Sequence, residues 1–134
     1  MKSETPDDRI VSALQTHFAE LMAVYLFGSQ AQGTARPDSD LDLAILVDGV
    51  ADAVGLWECA GRLAETFGCE VDLLDLRAAS TVMQYQIITS GRLLWAKDSQ
   101  AALYESFVLG EKLSLDEARA DLLADIAREG KVYG

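Results

Sequence analysis

The run LDLAILV, residues 41–47, constrains the fold more than any other stretch of the chain. Side chains alternate between the two faces of a strand, and both faces of this one are apolar: Leu41, Leu43, Ile45 and Val47 on one, Ala44 and Leu46 on the other. Such a strand lies in the interior of a sheet with both faces covered. Asp40 and Asp42 interrupt the pattern at its first end, so the chain places charge where an interior strand ordinarily has none.

The segments around this strand alternate between helical and extended patterns. Thr5 followed by Pro6 predicts the start of a helix whose apolar periodicity continues to about Leu21. The runs AVYLFG and CEVDLLDL, residues 23–28 and 69–76, predict a strand before and a strand after the central one. Asp52 and Gly68 are expected to cap the two ends of an intervening helix. This order predicts an α/β fold with a small mixed or parallel sheet flanked by helices.

The last third of the chain is predicted to be mostly helical. A helix at 80–89 and a short strand at 92–96 are followed by helices from about residue 99. Ser114 and Glu117 have the spacing of a capping box, so we expect one helix to end near Leu109 and another to begin at Ser114. A chain of 134 residues is large enough for one core, and residues 1–134 are therefore interpreted as a single domain.

Charge and composition exclude several classes of protein. The chain has 11 basic and 22 acidic residues and a net charge of −11, which argues against direct binding to nucleic acid and favours a basic protein partner. No apolar run is long enough to span a membrane, and the first nine residues lack the apolar core of a signal peptide, so a cytoplasmic protein is expected. Cys59, Cys69 and His17 have no ligand or catalytic spacing and receive no role.

The aspartates of two predicted strands are in phase with one another. Asp40 and Asp42 project from one face, with Cα atoms roughly 6–7 Å apart. On the third strand Asp72 is in phase with Glu70, whereas Asp75 points the other way. If the two strands are neighbours, three carboxylates converge. Two such charges about 6 Å apart repel by roughly 2–3 kcal/mol at an effective dielectric of about 20, and the third adds further repulsion. A hard divalent cation such as Mg²⁺, shared with substrate phosphates, would relieve that repulsion.

The loop between the first two strands has features of a phosphate-binding segment. Gly28 allows a backbone amide to approach a phosphate, and the hydroxyl of Ser29 can donate a hydrogen bond. Gly33 permits a reversal of the chain, and Pro-Asp-Ser at 37–39 has the composition of a turn. Each feature is common alone, and only their combination with the aspartates indicates function.

At these residues the chain resembles a known family. The pattern G-S-x10-D-x-D, formed by Gly28, Ser29, Asp40 and Asp42, is the signature of the DNA polymerase β-like nucleotidyltransferase superfamily. Within it the chain looks most like the minimal nucleotidyltransferases that are antitoxins encoded beside HEPN-domain toxins. The resemblance covers residues 25–96. Relatives often carry Arg or Lys at the position of Gln32, which leaves a basic contact to the nucleotide either missing or supplied by Arg36.

This resemblance implies a reaction and a partner. Asp40 and Asp42 would hold two Mg²⁺ ions, and Asp72 would complete the second metal site and take the acceptor proton. Gly28 and Ser29 would bind the phosphates of ATP. The acceptor would be a tyrosine hydroxyl of the cognate HEPN toxin, an RNase that the added AMP neutralises.

Two other functions stay open at this point. A non-catalytic antitoxin would neutralise its toxin by binding alone. A small-molecule nucleotidyltransferase of the aminoglycoside type would use the same site, but little of the chain after Ala96 is left to hold that acceptor.

Overall fold

Four strands and five helices make up the part of the chain that the structure, a computed structural model, describes: residues 4–33 and 40–133. In chain order they are α1 (Pro6–His17), β1 (Leu21–Phe27), α2 (Gly28–Gln32), β2 (Leu41–Val47), α3 (Ala53–Phe67), β3 (Val71–Asp75), a 3-10 turn (Leu76–Ala78), α4 (Thr81–Ser90), β4 (Arg92–Ala96) and α5 (Gln100–Tyr133).

The strands form one mixed sheet in the order β3-β2-β1-β4. β2 is parallel to β3 and antiparallel to β1, which in turn is antiparallel to β4. The interior position predicted for β2 is therefore confirmed, and so is the mixed sheet flanked by helices. The two apolar faces of β2 contribute to separate cores, the first beneath α1 and α3 and the second beneath α4 and α5.

Local capping chemistry defines several helix ends as predicted. Thr5 and Asp8 form a reciprocal capping box at the start of α1, and Asp52 accepts a hydrogen bond of 3.1 Å from the N–H of Gly55. α3 ends at Phe67, and Gly68, which follows it, has a φ of 68° in the left-handed region.

The predicted end of α1 is wrong by four residues. The helix ends at His17, and Phe18 is extended with its N–H bonded to the carbonyl of Leu14. Leu21 instead begins β1 and pairs with Val47. An apolar residue at this position satisfies the helical periodicity and the strand equally well, and the pairing with β2 decides between them.

The predicted break near Ser114 is also wrong, because α5 is one continuous helix of 34 residues. A salt bridge of 2.7 Å from Lys112 to Asp116 spans the expected break. Ser114 lies inside the helix, and a capping box can act only where the amides of a first turn lack partners. At about 1.5 Å per residue, α5 is about 50 Å long.

The first part of α5 is anchored to the sheet and to α4. Ala101 and Val108 are buried, and the hydroxyl of Tyr25 donates a hydrogen bond of 2.7 Å to Glu105. The hydroxyl of Tyr104 donates a hydrogen bond to Gln84. These contacts fix the direction in which the rest of the helix extends. None of the helices within the described residues combines the length and the apolar character needed to cross a membrane.

Candidate active site

The predicted carboxylates lie at the same end of the sheet. Asp42 on β2 lies directly opposite Asp72 on β3 in the parallel register. Residues paired in this way project from the same face, and neighbouring strands are about 4.8 Å apart. Asp40 immediately precedes β2 and is exposed, as is Asp72, whereas Asp42 is half-buried. The predicted adjacency of the two strands is therefore confirmed.

The three carboxylates influence one another electrostatically. Burial raises the pKa of Asp42, and the negative charges of Asp72 and Asp40 raise it further. Like charges raise the pKa of an acid because they oppose its ionisation. A bound cation would reverse this effect, since it favours the ionised form of each carboxylate.

The glycine loop touches this cluster directly. Phe27, the last residue of β1, pairs with Asp42, and Gly28 follows with a φ of 72°. A Cβ atom added to Gly28 would lie 2.2 Å from Oδ2 of Asp42. Glycine is therefore required here both by the backbone conformation and by the space that the Asp42 carboxylate occupies.

The loop then continues as the short helix α2. Ser29 is half-buried in the first turn of α2, and Gly33 ends that helix with a φ of 71°. The predicted turn at 37–39 and the basic contact proposed for Arg36 lie outside the described residues, as does the side chain of Gln32.

The donors at this end of the sheet suit a cation that is shared with a substrate. In residues 4–33 and 40–133, no three His, Cys, Asp or Glu side chains are grouped so that they could hold a metal ion by themselves. Mg²⁺ is usually held by one or two carboxylates, with phosphate and water oxygens in the remaining positions. Asp42 and Asp72, with Asp40 near them, fit that arrangement.

The other acidic residues of β3 occupy different surroundings. Asp75 pairs with Ile45 on the opposite face and is buried. Its carboxylate accepts hydrogen bonds of 3.0 Å from the N–H of Ala51 and 3.1 Å from the N–H of Arg77. Glu70 is exposed just before the strand. The predicted separation of Asp72 from Asp75 is confirmed, and the anchoring role of Asp75 was not predicted.

The sequence also gave no signal for a basic side chain close to the loop. Arg92 begins β4 opposite Leu26, two residues before Gly28, and its guanidinium forms a salt bridge of 2.6 Å with Asp7. An arginine that starts an edge strand is ordinarily a solvated residue, and only the pairing of β4 with β1 brings it to this end of the sheet.

Comparison with known proteins gives consistent matches. The family model described as polymerase beta, nucleotidyltransferase, matches residues 8–100. Protein adenylyltransferase MntA of Shewanella oneidensis is 34% identical over 120 residues, which cover 90% of this chain and 86% of that protein.

Solved structures resemble nearly the whole chain. The crystal structure of a toxin-antitoxin with AMP-PNP has a TM-score of 0.80 and 34% identity, and the match covers 90% of this chain and 97% of that one. The structure of a tri-AMPylated Shewanella oneidensis HEPN toxin in complex with MNT antitoxin has a TM-score of 0.74 and 30% identity, covering 90% and 95%.

Proposed function

This chain belongs to the polymerase β nucleotidyltransferase family, and on that premise we propose that it is an antitoxin that transfers AMP from ATP to a tyrosine hydroxyl of its cognate HEPN RNase toxin. The added AMP neutralises the toxin. One observation carries the proposal: the glycine loop at Gly28 is in contact with Asp42, which faces Asp72 on the neighbouring strand. This contact supports the proposal because it brings groups suited to bind phosphate next to groups suited to bind a metal ion.

Each residue has a distinct role in this proposal. Asp40 and Asp42 would hold Mg²⁺ together with the triphosphate, and Asp72 would complete the carboxylate set. Mg²⁺, when bound, neutralises phosphate charge and lowers the pKa of the acceptor hydroxyl. The tyrosine oxygen attacks the α-phosphorus, the bond to pyrophosphate breaks, and Asp72 accepts the tyrosine proton.

The loop positions the nucleotide. Gly28 brings its backbone to within contact of the Asp42 carboxylate, so a phosphate bound by the amides of Gly28 and Ser29 would lie beside the same metal-binding oxygens. This arrangement orients the α-phosphorus toward an acceptor that enters over Asp72.

The proposal also covers the domain organisation, the location and the partner of the protein. Residues 1–134 act as one minimal nucleotidyltransferase domain in the cytoplasm, with ATP as co-substrate. A net charge of −11 suits a basic protein acceptor and opposes direct contact with nucleic acid.

The test is transfer of label from ATP that is radioactive at the α-phosphate. With Mg²⁺ and the cognate HEPN toxin, we expect label on a toxin tyrosine and loss of RNase activity, and a chelator should prevent both. Neutralisation of the toxin without label would establish binding alone. Label on an added aminoglycoside, and none on the toxin, would establish a small-molecule transferase.

A further inference from the structure

The second half of α5 extends beyond the rest of the molecule. The helix starts beside Met22, whose carbonyl accepts a hydrogen bond of 2.8 Å from the N–H of Lys97, and reaches Tyr25 at Glu105. It therefore runs along β1 toward Phe27, the end at which the carboxylates lie. β1 rises only about 7 Å from Tyr25 to its end. α5 rises about 35 Å over residues 105–128, so most of that length passes the end of β1.

We call residues 113–128 the overhang, because every one of them is exposed. The overhang begins on the side of the sheet that carries the catalytic carboxylates, since Asp42 shares its face of β2 with Ala44, and Ala44 packs in the same core as Ala101 of α5. A partner held against the overhang would consequently lie beside Asp42 and Asp72.

Three exposed apolar side chains of the overhang lie on one side of α5, grouped around Arg119, and the same side faces the core in the earlier turns of the helix. Val108 is buried, and Ala101, seven residues before it on the same side of α5, packs in the core beneath α4 and α5. Steps of seven residues from Val108 lead to Leu115 and Leu122, each rotated by only about 20° around the helix. Ile126, four residues after Leu122, lies on the same side. We call these three leucine and isoleucine side chains the inner stripe; they are 46%, 59% and 54% exposed in chain order.

We propose that the inner stripe is the surface that docks the HEPN toxin and holds the acceptor tyrosine over the catalytic end of the sheet. The inference rests on the proposed function, because it takes the AMP acceptor as the occupant. A macromolecular acceptor has to be positioned by surface contacts, and this stripe extends from the catalytic end of the sheet.

Charge favours the toxin over a second copy of this chain. The overhang carries four carboxylates and two guanidinium groups: Asp116, Glu117, Asp121, Asp125, Arg119 and Arg128. If two copies packed through this segment, two negatively charged segments would face each other. Each chain also carries a net charge of −11, which adds to the repulsion. An RNase binds a polyanion and needs a basic surface to do so, which complements the acidic overhang.

The test compares two double variants of the same helix. The inner variant is Leu115→Asp with Leu122→Asp. The outer variant is Leu109→Asp with Leu113→Asp, whose leucines are 44% and 60% exposed and lie about 120–180° around the helix from those of the inner variant. Both variants make the same chemical change and add the same charge to exposed positions of α5. Circular dichroism confirms that the helix is retained in each.

We expect the inner variant to bind the toxin at least tenfold more weakly, since apolar anchors near the centre of an interface dominate affinity. Its KM for the toxin should rise by a similar factor, while kcat at saturating toxin and the binding of Mg²⁺-ATP without toxin stay within about twofold. The outer variant should differ from the unmodified chain by less than threefold in toxin affinity.

Equal losses in the two variants, or unchanged toxin affinity in the inner variant, would overturn the proposal. So would a dimer of the chain alone that the inner variant converts to a monomer without a change in toxin affinity. If the unmodified chain binds the toxin through the inner stripe but transfers no label, the docking surface stands and the proposed function fails.

Discussion

Two aspartates of the same short strand, Asp72 and Asp75, occupy opposite electrostatic surroundings. Asp75 is buried on the face toward α3, where two backbone N–H groups donate to its carboxylate. Asp72 is exposed on the other face and adds to the like charge around Asp42, whose pKa is raised. The first arrangement stabilises the fold, and the second destabilises it until a cation or a ligand arrives.

The two aspartates lie only three residues apart, yet their surroundings indicate different roles. A carboxylate that stabilises the fold has its hydrogen-bonding capacity filled by the protein, as Asp75 does. Asp42 and Asp72 lie among like charges and are accessible to solvent, which are the surroundings expected of carboxylates that bind a ligand. Substitution of Asp75 should accordingly lower the stability of the fold, whereas substitution of Asp42 or Asp72 should lower the rate of AMP transfer.

The largest expected effect is at the centre of the like-charged cluster. Asp42→Asn should lower the rate of AMP transfer by about a thousandfold or more, because metal coordination of phosphate contributes several kcal/mol. The free energy of unfolding should stay the same or rise, since one of the mutually repelling charges is removed. Single-turnover transfer of labelled AMP and thermal unfolding measure the two quantities.

Asp48→Asn is the matched control, because Asp48 is exposed directly after the other end of β2. It should leave both quantities unchanged. A stable Asp42→Asn variant that retains activity within tenfold would remove Asp42 from the chemistry.

The next expected effect compares the two aspartates of β3. Asp72→Asn should reduce transfer at least a hundredfold, the usual loss for a general base, without lowering stability. Asp75→Asn should retain most of its kcat below its unfolding temperature but lose about 1–3 kcal/mol of stability, because the carboxylate that accepts two backbone N–H groups is replaced. Equal losses of kcat in folded Asp72→Asn and Asp75→Asn would contradict the assignment of the two faces.

A smaller effect is expected at the loop, where Gly28 and Gly33 make a matched pair. Both have a positive φ, of 72° and 71°, but a Cβ on Gly28 would collide with Asp42, and one on Gly33 would meet nothing within 4 Å. Alanine should cost about 1–2 kcal/mol of stability at either position through backbone strain. Only Gly28→Ala should also weaken ATP binding and slow transfer, by about tenfold more than Gly33→Ala. Isothermal titration with a non-hydrolysable ATP analogue measures the binding.

If both glycine variants bind the nucleotide equally well, contact between the loop and Asp42 does not matter for activity. The carboxylates would then act without the positioning that the loop is proposed to provide.

The parts of the fold that local chemistry determines were predictable from the sequence. Thr5 and Asp52 cap helices through their own side chains, and the alternation along β2 specifies two buried faces. The alternation of side chains along β2 and β3 also predicted that Asp42 and Asp72 project from the same face of the sheet. The resemblance to minimal nucleotidyltransferase antitoxins, which rested on the Gly-Ser and Asp-x-Asp spacing, is confirmed by the family and structural matches.

The features that depend on distant partners were not predictable. Leu21 joins the strand because Val47 pairs with it, and Asp75 is an anchor because Ala51, 24 residues away, donates to it. The continuity of α5 across Ser114 depends on neighbouring turns and on the salt bridge from Lys112 to Asp116, which a four-residue capping pattern does not include.

The smallest effect is expected at Tyr25, where α5 covers the face of the sheet that carries Asp42 and Asp72. Tyr25 lies two residues before the end of β1, is 1% exposed and donates its hydroxyl hydrogen to Glu105. Tyr25→Phe should cost about 1 kcal/mol of stability at neutral pH. Burial, and then the hydrogen bond and charge of Glu105, raise the pKa of Tyr25 above its ordinary value of 10.0. Because the folded-state pKa is the higher one, this residue's contribution to stability is complete below pH 10 and is lost as the pH rises further. Denaturant unfolding between pH 8 and pH 11, relative to Tyr25→Phe, isolates that contribution; parallel curves for the two proteins would show that the hydroxyl is not sequestered beneath α5.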